Sequence, residues 1–300
     1  MSAQRLRTIS SALAPLEPLE PAAFAQIVRA RSLIHFLGDS HVDQMAVSLV
    51  GLLAPELPLG TFAELTKGGI QASWLVSLSR GGQLRYDSLW RQGRIEEVLR
   101  DTRLALNHSR HPTRTDDAAR APVVVLSNPA RGSLVQLSSC HQASTNAELD
   151  AARSFAEVVR AGTGRQPVVF ISRFSGHPGC VSTRGEPRYT QPLHSNVSSQ
   201  QIIEAAGASA TDFCWDKNAL VNCMLVSALS MSLGARFHWI DAERLTQLRP
   251  DGHSQLIPPH DARQAPGCCD CGHYCVPGGP VETYNDLLHR LLDRLHLAAV

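Results

Sequence analysis

Short apolar runs alternate with amphipathic stretches along the chain. The apolar runs predict buried strands at 32–37, 74–79, 122–126, 167–172 and 236–240. Apolar residues at helical spacing predict helices at 24–31, 41–55, 94–104, 147–161, 202–206, 219–233 and 281–297. Buried strands that alternate with helices are typical of a parallel sheet covered on both faces. The pattern therefore predicts an α/β fold with a doubly wound, mostly parallel sheet.

The polar residues that follow these strands are candidates for function, because ligands of such sheets bind at the carboxyl ends of the strands. The segments after residues 37, 126, 172 and 240 should share this edge. The first of them carries Gly38-Asp39-Ser40, between a strand and a helix. Backbone N–H groups at a helix start favour a developing negative charge. Ser40 is thus a candidate nucleophile, and the alternative for a serine here is a helix N-cap.

A second candidate segment lies near the C-terminus, where Asp270 precedes His273 by three residues. An imidazole that takes the serine proton and a carboxylate that fixes the imidazole tautomer would complete an acyl-transfer site with Ser40. The alternative is a zinc site, because Cys268, Cys271 and Cys275 flank the histidine. Structural zinc sites usually use two separated ligand pairs, whereas these residues fall within a single short stretch. We therefore expect no metal and a histidine loop held by disulfides.

Composition limits the other possibilities. The 300 residues are 43% hydrophobic and 18% charged, with a net charge of +1, so nothing in the charge favours nucleic acid or an anionic membrane. No apolar run is long enough for a membrane helix, and the N-terminus lacks the apolar core of a signal peptide. Eight cysteines favour an oxidising compartment. We expect a flexible, Pro-containing lead-in over 1–22 and one catalytic domain over 23–300.

Four blocks of sequence, in order, resemble the plant trichome-birefringence-like, or PC-esterase, family. The strongest is Asp270-Cys271-Gly272-His273-Tyr274-Cys275-Val276-Pro277-Gly278, with the Tyr284-Asn285-Asp286-Leu287-Leu288 tail after it. The others are 31–53 around Gly38-Asp39-Ser40, then 169–177 with Cys180 behind it, and 248–253. The resemblance implies an SGNH-hydrolase-like three-layer sandwich. It also implies a triad of Ser40, His273 and Asp270.

The same resemblance suggests the remaining site residues. An SGNH-like oxyanion hole would use the Ser40 N–H with Gly69 (or Gly68) and Asn128, which follows a predicted strand. Candidates for substrate binding are Asp39, Arg173 and His177, and candidates for disulfides are Cys180, Cys271 and Cys275.

Members of that family O-acetylate cell-wall polysaccharides, typically in the Golgi lumen. The implied partners are therefore a glycan acceptor and an acetyl donor such as acetyl-CoA, used as a co-substrate, with no tightly bound cofactor. The resemblance favours an O-acetyltransferase. A carbohydrate esterase with the same triad and a non-catalytic polysaccharide-binding protein are the alternatives.

Overall fold

The computed structural model describes residues 19–67, 73–88, 97–98, 100, 121–127, 146–172, 218–247 and 280–297. Its centre is a six-stranded sheet of order β2-β3-β1-β4-β5-β6. The strands are β1 (Leu33–Gly38), β2 (Ser73–Ser77), β3 (Gln83–Ser88), β4 (Val123–Ser127), β5 (Val168–Ile171) and β6 (Phe237–Ile240). All neighbouring pairs are parallel except β2 with β3, so the antiparallel strand lies at one edge. The predicted fold class is confirmed.

Helices cover both faces of the sheet. Those described are α1 (Pro21–Arg31), α2 (Ser40–Leu52), α3 (Thr61–Lys67), α4 (Asn146–Thr163), α5 (Asn218–Leu233), α6 (Ala242–Gln247) and α7 (Pro280–Leu297), with 3-10 turns at Ala54–Glu56 and Gly234–Arg236. Apolar side chains of α1, α2 and α7 form one core against the sheet. Those of α4 and α5 form a second core against its other face. The result is three layers, helix–sheet–helix.

The strand order reverses at β1. From β1 the sheet continues through β3 in one direction and through β4, β5 and β6 in the other. Such a switch point leaves a crevice outside the carboxyl ends of the two strands that flank it, which is the usual ligand site of a doubly wound sheet. Here the flanking strands are β1 and β4, and the segment that leaves β1 is Gly38-Asp39-Ser40.

Most predicted elements are confirmed within a few residues, and three are new. The strand β3 was missed, as were the short helices α3 and α6. Helix α1 begins at Pro21, within the predicted lead-in. The helix predicted at 94–104 is seen at 97, 98 and 100, and the one at 202–206 lies outside the described residues. Within the described ranges, no helix is both long and apolar enough to cross a bilayer.

Candidate functional site

The turn from β1 into α2 is too tight for any residue but glycine at position 38. A Cβ on Gly38 would lie 2.6 Å from Val42 Cγ2 and 2.8 Å from Val42 Cβ, and 3.3 Å from the Cβ of Ser127. The first two distances are shorter than real carbon contacts, and Val42 is fully buried and β-branched. Gly38 therefore lets the first turn of α2 pack directly onto the ends of β1 and β4.

Ser40 is the first residue of α2 and is half-buried. Asp39 precedes it as the N-cap, with its carboxylate accepting the His41 N–H at 3.0 Å. The other Asp39 oxygen lies 3.4 Å from His41 Nδ1. The capping role suggested for the serine is thus taken by Asp39. Ser40 sits at the positive end of the helix dipole, beside the switch point of the sheet.

A buried group of aromatic and acidic side chains surrounds the Asp39 carbonyl. Tyr86, on β3, donates its hydroxyl to that carbonyl at 3.3 Å, and the Asp43 N–H donates to it at 3.1 Å. Trp74, on β2, donates its indole N–H to the Asp43 carboxylate at 3.1 Å, and its ring lies 5.8 Å from that of Tyr86. Burial raises the pKa of Asp43 and outweighs the opposing hydrogen bond from Trp74. We call Asp43, Trp74 and Tyr86 the turn brace.

A second polar cluster lies nearby in the sheet. His35 Nε2 is 2.6 Å from Asp87 Oδ2, which also accepts from Arg85 Nε at 2.6 Å. Burial lowers the pKa of His35 and outweighs the hydrogen bond that His35 donates to Asp87, which raises it. Burial alone would raise the pKa of Asp87, but the hydrogen bonds from His35 and Arg85 prevail and lower it. The cluster therefore holds a neutral imidazole that donates to an ionised carboxylate. His35 is fully buried, in agreement with the buried strand predicted at 32–37.

The other parallel strands end in polar residues at the same edge. Ser127 ends β4, is buried, and precedes Asn128, the oxyanion candidate. Ser172 follows β5, and its hydroxyl accepts the Glu243 N–H at 3.2 Å and lies 3.3 Å from Asp241 Oδ1. These bonds join the ends of β5 and β6. The carboxyl ends of β1, β4, β5 and β6 therefore share one edge, as predicted, whereas the segments from 128 and from 173 onward lie outside the described residues.

Of the predicted site residues, Ser40 and Asp39 are described. The carboxylate of Asp39 is buried and accepts the His41 N–H in the N-cap. Its substrate-binding role stays a prediction. The rest lie outside the described residues: Asp270, His273, Gly68, Gly69, Asn128, Arg173, His177, Cys180, Cys268, Cys271 and Cys275. Cys223, the one cysteine described, is exposed and has no disulfide partner among the described residues.

The helix that follows the Asp270–His273 segment packs against the helix that begins with Ser40. Asn285 of α7 donates its amide to the Met45 carbonyl of α2 at 3.3 Å, and the Ser48 hydroxyl of α2 donates to Glu282 at 3.4 Å. His273 precedes the start of α7 at Pro280 by seven residues, which an extended chain spans in about 25 Å. The two segments that carry the predicted triad are therefore connected to helices in mutual contact.

Sequence reasoning missed the turn brace. It predicted a buried strand at 74–79, and Trp74 is buried there, but it did not predict the bond from Trp74 to Asp43. It did not identify Tyr86 at all. The signal was present, since Gln83-Leu84-Arg85-Tyr86-Asp87-Ser88 alternates polar and apolar residues as a strand does, up to Asp87.

Residues 150–291 match the model of the PC-esterase family, a GDSL/SGNH-like acyl-esterase family found in Pmr5 and Cas1p. The matched segment includes Asp270 and His273 and begins after Ser40. None of the curated proteins compared with the chain matches it. The α/β fold and this match support an SGNH-type esterase or acyltransferase. They also support acyl-ester chemistry in general, with an acyl or carbohydrate substrate, whereas the match is not specific to the trichome-birefringence-like branch.

Proposed function

We propose that the protein is an O-acetyltransferase that moves acetyl from a donor to a hydroxyl of a polysaccharide or glycan. The observation that carries the proposal is the position of Ser40, which begins α2 at the switch point of a parallel sheet in a chain with a PC-esterase match. In such a sheet this is where a ligand binds. The Asp270–His273 segment lies within the matched residues, as expected for the rest of the site.

The proposed reaction has two steps. Ser40 Oγ attacks the acetyl carbonyl carbon while His273 takes the hydroxyl proton, and Asp270 stabilises the resulting imidazolium. The carbonyl electrons move to its oxygen, which the Ser40 N–H stabilises. The intermediate collapses, and the leaving group departs with the proton from His273. In the second step a sugar hydroxyl gives its proton to His273 and attacks the acetyl-serine, and as the product ester forms the Ser40 Oγ–acyl bond breaks and His273 returns the proton to Ser40 Oγ.

Hydrolysis is the second candidate, because the matching family is described as one of acyl-esterases. An esterase would use the same residues, with water in place of the sugar hydroxyl. Whether water or sugar takes the acetyl group depends on how well the site orients a hydroxyl and excludes water. The acetyl-CoA donor, the glycan acceptor and the Golgi location belong to the same proposal and rest on the sequence resemblance alone.

The test is acetyl transfer by purified protein, followed as free acetate and as acetylated xylo-oligosaccharide. The Ser40→Ala variant should be at least about a thousandfold less active than wild type, because it lacks the nucleophile. Ser48→Ala is the matched control, since Ser48 is a half-buried serine on the same helix. Acetylated sugar as the main product supports a transferase, and acetate regardless of sugar supports an esterase. Full activity in Ser40→Ala, or none in wild type, would contradict the proposal.

A further inference from the structure

The Asp39 carbonyl accepts two hydrogen bonds, from the Asp43 N–H at 3.1 Å and from the Tyr86 hydroxyl at 3.3 Å. The first is the ordinary opening bond of a helix. The second comes from β3, the strand that lies next to β1 on the side away from β4. A carbonyl oxygen has two lone pairs, so both are used. This carbonyl belongs to the same planar peptide unit as the Ser40 N–H, and the two point in opposite directions. Fixing one therefore fixes the other.

Tyr86 is itself held in place from several sides. Its side chain is fully buried, its ring contacts Trp74, and its hydroxyl is hydrogen-bonded to the Ser88 side chain. Burial raises the pKa of Tyr86 far above its ordinary value, and the charges of Asp43, Asp39 and Asp87 add to the effect. The phenol therefore stays protonated and remains a hydrogen-bond donor. Trp74 in turn donates to Asp43, whose N–H is the other donor to the Asp39 carbonyl.

We propose that Tyr86 is a positioning residue for acyl transfer, because its hydroxyl orients and polarises the peptide unit whose N–H stabilises the oxyanion at Ser40. This inference rests on the proposed function. When Ser40 Oγ bonds to the acyl carbon, the carbonyl electron pair moves onto oxygen and the Ser40 N–H donates to it. A hydrogen bond at the other end of the same peptide unit withdraws electron density and makes that N–H a stronger donor. Tyr86 itself transfers no proton and does not touch the substrate.

The hydrogen bond can be observed without any enzyme activity. The dipeptide Asp-Ser occurs twice in the chain, at 39–40 and at 87–88. Protein labelled with ¹³C-carbonyl aspartate and ¹⁵N-serine should therefore give two carbonyl–amide correlations by NMR, and Ser40→Ala assigns one by removing it. In Tyr86→Phe we expect the Asp39 carbonyl resonance to move upfield, because one hydrogen bond to it is lost. An unchanged resonance would overturn the inference.

The kinetic test uses 4-nitrophenyl acetate, with burst and steady-state release of 4-nitrophenol. Removing an oxyanion donor outright lowers kcat about 10²–10³-fold, so misorienting one should lower it by about tenfold. We expect Tyr86→Phe to show that loss in kcat with KM within about twofold of wild type. The matched control is Tyr284→Phe, because Tyr284 is also fully buried and also donates to a backbone carbonyl, that of Ala242 at 3.0 Å. It should lose a similar amount of stability and keep kcat.

The outcomes separate the two proposals. A shifted Asp39 resonance with reduced kcat in Tyr86→Phe alone supports the positioning role. Equal losses of kcat in Tyr86→Phe and Tyr284→Phe would overturn it, because they would reflect stability alone. Full kcat in Tyr86→Phe beside an inactive Ser40→Ala would overturn it and leave the proposed function intact. Wild type as inactive as Ser40→Ala would overturn the proposed function and this inference together, even if the resonance shifts.

Discussion

Asp43 and Asp87 are two buried carboxylates in the same part of the molecule, and their protonation equilibria shift in opposite directions. Each residue is only 8% exposed. Burial raises the pKa of Asp43, which has the neutral indole of Trp74 as its side-chain donor. Asp87 experiences the same burial effect, but hydrogen bonds from His35 and the guanidinium of Arg85 overcome it and lower its pKa.

The difference shows that the hydrogen-bond partners of a buried acid, and not its degree of burial, determine its protonation state. A carboxylate with a cationic partner and a second donor is stabilised as an anion, whereas one with a single neutral donor is destabilised when it ionises. Asp87 should therefore contribute to the stability of the fold at neutral pH. The ionised Asp43 should lower the stability of the fold at neutral pH. Its structural role is the hydrogen bond that joins α2 to Trp74 in the turn brace.

Loss of the Asp87 charge should have the largest effect on stability. Asp87→Asn leaves Arg85 and His35 without their anion, and we expect the free energy of unfolding to fall by about 2–3 kcal/mol. Urea unfolding at pH 7 measures this. The matched control is Asp150→Asn, because Asp150 pairs with Arg153 at 3.0 Å on an exposed helix surface. There we expect less than about 0.5 kcal/mol. Equal effects would contradict the assigned role of the buried cluster.

Acidification should weaken the His35–Asp87 cluster in two stages. The pKa of His35 in the folded protein is below its ordinary 6.5, so its contribution is complete above pH 6.5 and declines as the pH falls below it. The contribution of Asp87 is present above pH 3.8 and is lost as the pH falls through its lowered folded pKa. Urea unfolding between pH 7.5 and 3 measures the decline. In His35→Gln the free energy of unfolding should fall less steeply in the upper part of this pH range. An unchanged slope would contradict the role assigned to His35.

Neutralising Asp43 should have the smallest effect, and of opposite sign. Asp43→Asn keeps an oxygen to accept from Trp74 and removes the buried charge, so stability at pH 7 should equal that of wild type or exceed it by up to about 1 kcal/mol. The pKa of Asp43 is raised, so its ionisation costs stability as the pH rises through the folded pKa. Any gain in Asp43→Asn should therefore vanish below about pH 3.8, where wild type is protonated too. A large loss at pH 7 would contradict this account.

Most of the fold could be predicted because its strands are continuous apolar runs. The strand β3 could not be predicted that way, because it alternates polar and apolar residues and carries Arg85 at a half-buried position and Asp87 at a buried one. The buried charge of Asp87 is compensated by hydrogen bonds from Arg85 and from His35 on the neighbouring strand. Such pairing depends on tertiary contacts, which the local pattern does not contain. Helices α3 and α6 are too short for a periodic signal.

The candidate site was predictable in outline. The strand, glycine and serine of the first block predict a nucleophile at a strand-to-helix turn, and the structure adds why position 38 must be glycine. It also shows that Asp39, and not Ser40, caps the helix. Tyr86 was missed because its role depends on one hydroxyl reaching a backbone carbonyl 47 residues away along the chain. Neither periodicity nor a motif encodes that contact.

The most direct test of the central claim is the location of the acetyl group after reaction with an acetyl donor. Trypsin should release residues 32–67 as one peptide, which contains Ser32, Ser40 and Ser48. Tandem mass spectrometry of the acid-quenched protein can therefore compare three serines in a single fragment series. We predict acetyl on Ser40 alone, and no acetylated peptide from Ser40→Ala. Acetyl on Ser32 or Ser48, or equal labelling in the variant, would contradict the assignment of Ser40 as the nucleophile.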